Sequence, residues 1–346
     1  MVPDANPSLF LYDKIITNEK RLQSTFAGKR IWITGASSGI GAELARQLYG
    51  HGANLILSGR REAELNRVKA LCEDTNSNSN SNSNTNSRGG ASSNISVLPF
   101  DVTDTDEKIS EVVSMASGRF DGIDILILNA GAGQLSPAVD SSFSKTRKLM
   151  EVNYMGPVRL AMELMKREKW DMYQGEGEMR MKGHIVVTSS VASKMGLPLG
   201  TSYAASKHAV HGYFTSLRSE CAEWLRIDLP CPGPIATAFQ DNAVDVKSSP
   251  SEENEDDSEL KMPVERCAKL IISGMLGPAS MMQETWISRQ PTLSLLFLNQ
   301  YLPNLSNWIL GVVGPLRLKA FRAGLPLYKV SSWLQAARME KERKED

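Results

Sequence analysis

The sequence predicts a doubly wound α/β fold, in which a parallel sheet of about seven strands is covered by helices on both faces. From Arg30 onward, short apolar runs rich in β-branched residues alternate with longer segments of helical periodicity, which is typical of βαβ units. Most of these runs are continuously apolar, as strands buried on both faces of a parallel sheet are. A glycine-rich turn between the first run and the first helix completes the pattern.

The strand pattern occurs in seven segments, at residues 30–34, 54–58, 95–99, 123–128, 184–188, 227–231 and 285–287. Helical periodicity fills the intervals, most clearly over 41–49, 144–165 and 203–224. These segments predict one domain spanning residues 29–290. An N-terminal extension, 1–28, precedes it, and a largely helical C-terminal extension, 291–346, follows it.

Three polar segments interrupt this rhythm. Residues 76–87 form a Ser/Asn repeat that cannot bury apolar surface, and we predict a disordered insertion there. Residues 169–182 are polar and rich in methionine, which favours a loop. Residues 248–259 are acidic and follow the sixth strand, where we expect either a solvated loop or a mobile lid.

Composition excludes several classes of function. The 39 basic and 39 acidic side chains balance, so no net field favours nucleic acid or an anionic surface. The four cysteines are scattered without CxxC spacing, which indicates a reducing compartment rather than a disulfide framework. No histidine pattern predicts a metal site, and we interpret His208 and His211 as structural or surface residues. Neither a secretory signal nor a membrane-spanning run is predicted.

The turn after the first strand predicts a phosphate-binding site. Its sequence, Thr34 to Gly41, reads TGASSGIG and opens a helix. Glycines allow the tight turn and let backbone amides approach a pyrophosphate, whose charge the helix N-terminus favours. The predicted dinucleotide-binding residues of this turn are Gly35, Ser37, Ser38, Gly39, Ile40 and Gly41.

The end of the second strand favours NADP(H) over NAD(H). A domain that prefers NAD carries a carboxylate there, about 20 residues after the glycines, to hold the ribose 2′-hydroxyl. This chain has Ser58-Gly59-Arg60-Arg61 instead. The Arg60 guanidinium suits a 2′-phosphate, and no carboxylate repels one.

These features and others resemble the short-chain dehydrogenase/reductase family over about 29–287. The markers are TGASSGIG at 34–41, Asp101-Val102, Asn129-Ala130-Gly131, Asn153, Ser190, the YxxxK pair Tyr203 and Lys207, and Pro232-Gly233 leading to Thr237. One departure is Leu128, where the family has a second asparagine before Asn129. The segments 57–69, 285–291 and 300–303 further resemble the member 7 group of that family, and the N-terminal membrane anchor of that group is not expected here.

The resemblance implies a Rossmann-type catalytic domain that binds NAD(P). Asp101 and Val102 are expected to border the adenine, and the turn Asn129, Ala130, Gly131 to support the fourth strand beside the cofactor. The nicotinamide end is expected to contact Pro232, Gly233, Ile235 and Thr237, together with Tyr203 and Lys207.

The resemblance also implies a catalytic tetrad of Asn153, Ser190, Tyr203 and Lys207. Tyr203 and Lys207 are four residues apart, so a helix places them on one face. An ordinary tyrosine, with a pKa near 10, is a poor proton shuttle at neutral pH, and a lysine cation beside it stabilises the phenolate. Ser190 is expected to polarise the substrate oxygen, and Asn153 to position a water that relays protons to Lys207.

The sixth strand departs from the pattern. Asp228 and Pro230 fall inside it, although a proline removes a ladder donor and a buried charge needs a partner. The sequence therefore predicts a shortened strand after a helix that ends early, or else contains an error. This leaves two hypotheses open, a working oxidoreductase and an NADP(H)-binding sensor or scaffold with impaired turnover. An epimerase or dehydratase would need a longer C-terminal substrate domain.

The substrate and the partners are the least determined. The relatives imply an apolar carbonyl or alcohol, such as a steroid, retinoid or other lipid carbonyl. The segment 293–313, with Phe297, Tyr301 and Trp308, could line an apolar mouth, contact a membrane surface peripherally, or pack against the domain or a second subunit of a homodimer. We expect a cytoplasmic protein or one peripherally associated with the endoplasmic reticulum membrane.

Overall fold

The computed structural model describes residues 3–79, 94–168, 170, 183–239, 243, 260–278, 282–327 and 329–345. Seven parallel strands form one sheet in the order β3-β2-β1-β4-β5-β6-β7. The strands are β1 (Arg30–Thr34), β2 (Asn54–Ser58), β3 (Ile95–Val97), β4 (Ile125–Leu128), β5 (Gly183–Val187), β6 (Leu225–Pro232) and β7 (Glu284–Ile287). This order and the parallel pairing confirm the predicted Rossmann-type sheet.

Helices cover both faces of the sheet. The helices of the described residues are α1 (Pro7–Ile15), α2 (Glu19–Phe26), α3 (Gly39–Gly50), α4 (Glu62–Ser79), α5 (Asp106–Arg119), α6 (Phe143–Met150), α7 (Gly156–Arg167), α8 (Thr201–Glu220), α9 (Val264–Leu276), α10 (Thr292–Tyr301), α11 (Pro303–Arg322) and α12 (Val330–Glu345). Helices α1, α2, α3, α4 and α9 pack on one face of the sheet, and α5, α7 and α8 on the other. Successive residues of β1 alternate between the two cores, with Ile31 and Ile33 on one side and Trp32 on the other.

Strand β6 corrects the prediction made from Pro230. It is eight residues long rather than shortened, and it pairs first with β5 and then with β7. Pro230 lies where β5 has already ended, and its carbonyl still accepts a hydrogen bond from the backbone N–H of Ser189 at 2.9 Å. Asp228 is buried and paired, with His184 Nε2 2.8 Å and Arg226 Nη2 2.8 Å from its Oδ2. Only the early end of the preceding helix, α8, agrees with the prediction.

The predicted helix 144–165 is divided. Helices α6 and α7 are joined by a π-helical turn, Glu151–Met155, which contains Asn153. Pro157 explains the irregularity, because it has no N–H for the carbonyl of Asn153 four residues earlier.

The three predicted loop segments fall mostly outside the described residues. Helix α4 continues to Ser79, so the first residues of the Ser/Asn segment 76–87 are helical, and the remainder lies outside the described part of the chain. The loop 169–182, except Trp170, and the acidic segment 248–259 also lie outside it. Within the described residues, none of the helices has the length and apolar character needed to cross a membrane.

The N-terminal extension completes the edge of the sheet. Ala5 forms an antiparallel bridge with Ile287 of β7, and Asn6 N–H donates to the carbonyl of Trp286. Arg266 of α9 fixes this segment through hydrogen bonds to the carboxylates of Asp4 and Asp13.

The C-terminal extension packs against the domain beside the loop that follows β5. Leu293 and Leu296 of α10 form a small core with Val191 and Met195 of that loop. The side chain of Asn299 adds a hydrogen bond to the carbonyl of Lys194 at 2.7 Å.

Candidate functional site

The residues predicted from the sequence converge on one edge of the sheet. All of the markers lie at or beyond the carboxyl ends of strands β1 to β6, except for those on the helices α8 and α6–α7. In open parallel sheets this edge binds ligands, at the crevice where the strand order changes direction. Here that crevice lies between β1 and β4.

The glycine-rich turn has no room for side chains. Gly35 and Gly39 adopt positive φ angles of 65° and 56°, which glycine tolerates without strain. A Cβ on Gly35 would lie 2.7 Å from Ala130 Cα, and a Cβ on Gly41 would lie 2.3 Å from the carbonyl oxygen of Gly35. These contacts join the turn directly to the segment that follows β4.

The helix that begins in this turn can receive an anion. Ser38, the N-cap of α3, makes no side-chain cap hydrogen bond among the described residues, and its first turn contains no acidic residue. The first amides of a helix need an acceptor, and the helix dipole favours a negative charge there. A pyrophosphate therefore fits this cradle.

The segment after β4 is fixed to the turn by hydrogen bonds. Thr34 Oγ1 accepts from the backbone N–H groups of Asn129 and Ala130, at 3.1 and 3.2 Å. The Asn129 side chain donates to the carbonyl of Gly35 at 3.2 Å. Asn129 therefore joins the segment after β4 to the glycine-rich turn, and its support of the fourth strand beside the cofactor stays a prediction.

Two arginines stand at the end of β2. Arg60 is largely exposed and lies 3.9 Å from Asp101, the residue at the end of the β3 segment. Arg61 Nη2 lies 3.4 Å from the hydroxyl of Ser37 in the glycine-rich turn. Sequence reasoning singled out Arg60 alone, whereas the structure places Arg61 closer to the turn. No carboxylate side chain follows β2 before Glu62.

Tyr203 and Lys207 share one face of α8. Lys207 Nζ lies 6.0 Å from the centre of the Tyr203 ring and donates to the carbonyl of Thr188 at 2.9 Å. Burial lowers the pKa of Lys207 to about 8, so it stays mainly cationic at neutral pH. A cation at this position favours the charged form of a neighbouring phenol.

Ser190 follows β5 and faces the end of β6. Its hydroxyl accepts a hydrogen bond from the backbone N–H of Ala192 at 3.1 Å and lies 3.5 Å from the carbonyl of Pro232. Gly233 comes next, where a Cβ would lie 2.2 Å from Ser288 Oγ.

The segment after β6 turns back over the glycine-rich turn. Ile235 forms a bridge with Met262. The Thr237 methyl would lie 3.4 Å from a Cβ placed on Gly39. The segment therefore reaches the predicted cofactor cleft.

Asn153 lies at the site, but both polar atoms of its side-chain amide already form hydrogen bonds within the protein. Its Oδ1 accepts from Ala132 N–H at 2.8 Å, and its Nδ2 donates to the Ala132 carbonyl and to Ser206 Oγ, both at 2.9 Å. The amide thus anchors the segment after β4. Because Pro157 has no N–H, the backbone carbonyl of Asn153 lacks the donor that an α-helix provides four residues later.

Two site residues were missed from the sequence. Gln134 Oε1 caps α8 by accepting from the N–H groups of Ser202 and Tyr203, at 2.8 and 3.2 Å. Phe239 packs edge-on against the Tyr203 ring, with the ring centres 6.0 Å apart. Neither position carries a local sequence signal, because both contacts join segments that are distant in the chain.

His211, interpreted from the sequence as a structural or surface residue, also lies near these segments. It is buried, and its two ring nitrogens contact Ser189 and Ser193 on one side and Glu284 on the other. A usable signal was present, because Tyr203, Lys207 and His211 recur every four residues on one helical face. Among the described residues no group of His, Cys, Asp and Glu could hold a metal ion.

Comparison with known proteins gives a consistent result. The profile of a family described as short chain dehydrogenase matches residues 29–247. Dehydrogenase/reductase SDR family member 7 of Homo sapiens is 37% identical over 299 residues, covering 85% of this chain and 80% of that protein. The mouse protein of the same name is 34% identical over 300 residues, with the same coverage.

Solved structures resemble the fold. An alcohol dehydrogenase from Thermococcus sibiricus, complexed with 5-hydroxy-NADP, superposes with a TM-score of 0.60 at 22% identity, covering 76% of this chain and 98% of that one. A short chain dehydrogenase/reductase from Burkholderia phymatum, in complex with NAD, gives a TM-score of 0.61 at 22% identity, covering 81% of this chain and 95% of that one.

Proposed function

The chain belongs to the short-chain dehydrogenase family of oxidoreductases, and we propose that it transfers a hydride between NADP(H) and a carbonyl or secondary alcohol. The observation that carries this proposal is that Lys207 lies 6.0 Å from the Tyr203 ring and donates to the carbonyl of Thr188, two residues before Ser190, at the carboxyl edge of the sheet that also carries a glycine turn fitted to a dinucleotide. When bound there, a nicotinamide supplies or accepts the hydride.

The chain's own residues handle the proton. Ser190 donates a hydrogen bond to the substrate oxygen, where negative charge develops. Tyr203 protonates that oxygen in the reductive direction and takes the proton back in the oxidative direction. Lys207 holds the phenol in a usable ionisation state, and a water on the Asn153 carbonyl supplies Lys207 with protons from solvent.

The proposed preference for NADP(H) is supported by Arg60 and Arg61. Both follow β2, and Arg61 lies beside Ser37, so the two guanidinium groups and the serine hydroxyl can surround a 2′-phosphate. We expect Arg61→Ala and Arg60→Ala each to raise the KM for NADPH about tenfold or more and to leave the KM for NADH nearly unchanged. Arg67→Ala is the matched control, since Arg67 pairs with Glu64 away from the turn. Equal effects on both cofactors would contradict the preference.

An apolar substrate is supported by the surroundings of the Ser190–Tyr203 loop. Leu199 of this loop packs with Leu135 and with Phe321 of α11. Phe239 packs against the Tyr203 ring and is itself 39% exposed. We therefore propose a lipid-like carbonyl such as a steroid or retinoid, which matches such walls better than a charged metabolite does.

Peripheral membrane contact is proposed for the hairpin of α10 and α11. The sequence from Gln290 to Leu316 contains no charged residue, and Arg289 and Arg317 flank it, as suits an anionic lipid surface. Its exposed apolar side chains include Leu305 and Trp308, with Trp308 68% exposed. The other exposed ones are Tyr301, Leu302 and Val312.

Vesicle binding tests this contact. We expect the protein to float with phosphatidylcholine–phosphatidylserine vesicles and Leu305→Ser to weaken the flotation severalfold. Leu71→Ser, which changes a similarly exposed leucine of α4, is the control. Wild-type protein that stays at the bottom of the gradient would contradict the membrane contact. A Leu305→Ser variant whose assembly in solution is smaller than that of the wild type would indicate instead a face used between copies.

The reaction itself is tested by following NADPH absorbance with steroid, retinal and quinone carbonyls. We expect turnover that falls at least about 100-fold in Tyr203→Phe, while NADPH binding is kept. NADPH binding without Tyr203-dependent turnover on any carbonyl would indicate a cofactor-binding sensor or scaffold instead.

A further inference from the structure

A buried hydrogen-bonded cluster lies directly behind Ser190. We name it the Ser190 support cluster and define it as Ser189, Ser193, Lys194, His211 and Glu284. Its residues come from the turn after β5, from α8 and from β7. None of these residues is needed for the proton transfers described above.

The inner side of the cluster holds the backbone of Ser190. Ser193 Oγ donates to the Ser190 carbonyl at 2.6 Å and accepts from Ser189 Oγ at 3.0 Å. His211 Nδ1 lies 3.2 Å from Ser189 Oγ and 3.3 Å from Ser193 Oγ. One imidazole nitrogen therefore contacts both hydroxyls that surround the turn carrying Ser190.

The outer side of the cluster fixes the imidazole. His211 Nε2 lies 3.1 Å from Glu284 Oε2, while Glu284 Oε1 pairs with Lys194 Nζ at 3.0 Å and accepts from Trp286 Nε1 at 2.8 Å. Burial alone would raise the pKa of Glu284, but the hydrogen bonds from His211, Trp286 and Lys194 outweigh it and lower that pKa to about 2. Glu284 is thus a permanent anion that orients His211.

The ring of His211 is well placed to influence the reaction without touching it. His211 lies one helical turn beyond Lys207, which itself lies one turn beyond Tyr203. Ser189, Ser193 and His211 are all at least nine-tenths buried. In buried surroundings hydrogen bonds fix the orientation of side chains, because water cannot replace a hydrogen bond that is broken there.

On the basis of the proposed oxidoreductase function, we propose that Ser193 and His211 are positioning residues that hold the Ser190 hydroxyl at the substrate oxygen. The imidazole Nδ1 orients the two serine hydroxyls, and Ser193 in turn holds the Ser190 carbonyl. Because Ser190 stabilises charge that develops only as hydride is transferred, loss of this support lowers kcat more than it raises KM.

Three variants test the proposal with the full-length protein. We expect Ser193→Ala to lower kcat about tenfold, with KM for the carbonyl changed less than about threefold and NADPH affinity unchanged. His211→Gln keeps a polar group near the Nε2 position only, and we expect its kcat to fall by a similar factor. His211→Asn keeps one near the Nδ1 position, and we expect it to recover kcat to within about threefold of wild type.

His184→Gln is the matched control, since it changes another largely buried histidine that pairs with a carboxylate, near the start of β5 and away from Ser190. We expect its kcat to stay within about twofold of wild type even where its unfolding temperature falls. A wild-type kcat in Ser193→Ala, or equal losses in His211→Asn and His211→Gln, would overturn the proposal.

Failure of the function and failure of the inference can be told apart. Amide hydrogen exchange of residues 189–195 is expected to rise in Ser193→Ala and not in His184→Gln, whether or not a substrate has been found. Faster exchange without any wild-type turnover would overturn the oxidoreductase function alone. Normal turnover in all variants with unchanged exchange would overturn the inference alone.

Discussion

Two largely buried histidines of this protein have the same kind of partners and differ in where they lie. His184, near the start of β5, pairs with Asp228 and is accompanied by Arg226. His211, on α8, pairs with Glu284, which also binds Lys194. Each site thus combines an imidazole, a carboxylate and a cation.

The first of these sites only connects structural elements. Asp228 lies on β6, two residues from Arg226, and Arg226 also donates to the carbonyls of Gly274 and Gly277 at the end of α9. This set therefore joins β5, β6 and α9 at a distance from the carboxyl edge of the sheet.

The second site has the same chemistry and a different neighbour. The far side of the His211 ring contacts the two serines that flank Ser190. On the role proposed for Ser193 and His211, two ionic clusters of like composition differ in function because only the second lies beside the carboxyl ends of the strands.

The largest expected effect is a loss of stability on changing Asp228, which distinguishes the first site from the second. Asp228→Ala leaves the largely buried Arg226 and His184 without their carboxylate, and we expect it to lower the free energy of unfolding by about 3–5 kcal/mol in urea denaturation. The activity of the folded fraction is expected to stay near wild type. Asp228→Asn, which keeps the volume and one hydrogen bond, is the control and should lose less. A large fall in kcat with normal stability would reverse the roles of the two sites.

The corresponding change in the second site is expected to affect activity more than stability. Glu284→Gln keeps a hydrogen-bond acceptor for His211 but removes the charge that faces Lys194. We expect kcat to fall about threefold to tenfold and the free energy of unfolding to fall by only about 1 kcal/mol. Steady-state kinetics beside a urea titration measure both quantities. Unchanged kcat would mean that Glu284 does not act through His211.

The stability of the protein measured over a pH series tests the structural role of His184. Burial lowers the pKa of His184 below its ordinary value of 6.5, and the attraction of Asp228 does not offset it. The unfolded chain therefore binds this proton more readily, so the stability due to neutral His184 is complete above pH 6.5 and is lost as the pH falls below it. We expect the urea midpoint to decrease from pH 7 to pH 5 and to decrease less in His184→Gln. An equal decrease in both proteins would contradict this assignment.

The smallest expected effect concerns the neighbouring histidine on α8. His208 is exposed and contacts only the carbonyl of Ala204 among the partners that the structure describes, at 2.9 Å. We expect His208→Ala to change the free energy of unfolding by less than about 0.5 kcal/mol and kcat by less than about twofold. A larger effect on kcat would show that the influence on Ser190 belongs to the whole helix and not to the His211 ring.

The sequence was sufficient for the parts of the molecule that depend on local pattern. All seven predicted strands lie within two residues of their observed ends, because continuous apolar runs and the glycine turn are themselves local features. The shortening expected of strand β6 was wrong because the tolerance of Pro230 depends on where the neighbouring β5 ends. The point at which β5 ends beside Pro230 is a property of the tertiary structure, and the sequence of β6 does not reveal it.

The same distinction divides the candidate site. Tyr203 and Lys207 are recognisable because one helical turn relates them. The support given by Glu284 to His211 joins residues 73 positions apart, and the use of the Asn153 amide by Ala132 joins residues 21 apart. Spacing along the chain predicts neither contact, because each depends on how separate elements are packed.

The N-terminal segment on β7 has a consequence for how the molecule is assembled. Asn6 and Trp286 bond across 280 positions of the chain, so this segment, which precedes β1, can pair only after β7, the last strand of the sheet in chain order, has been made. Until then β7 has an open edge that another chain could extend. Contacts of such long range close slowly, and we expect this edge to be the last part of the sheet to form. Deleting residues 1–15 should therefore increase aggregation during refolding, even where the glycine turn and Tyr203 are untouched.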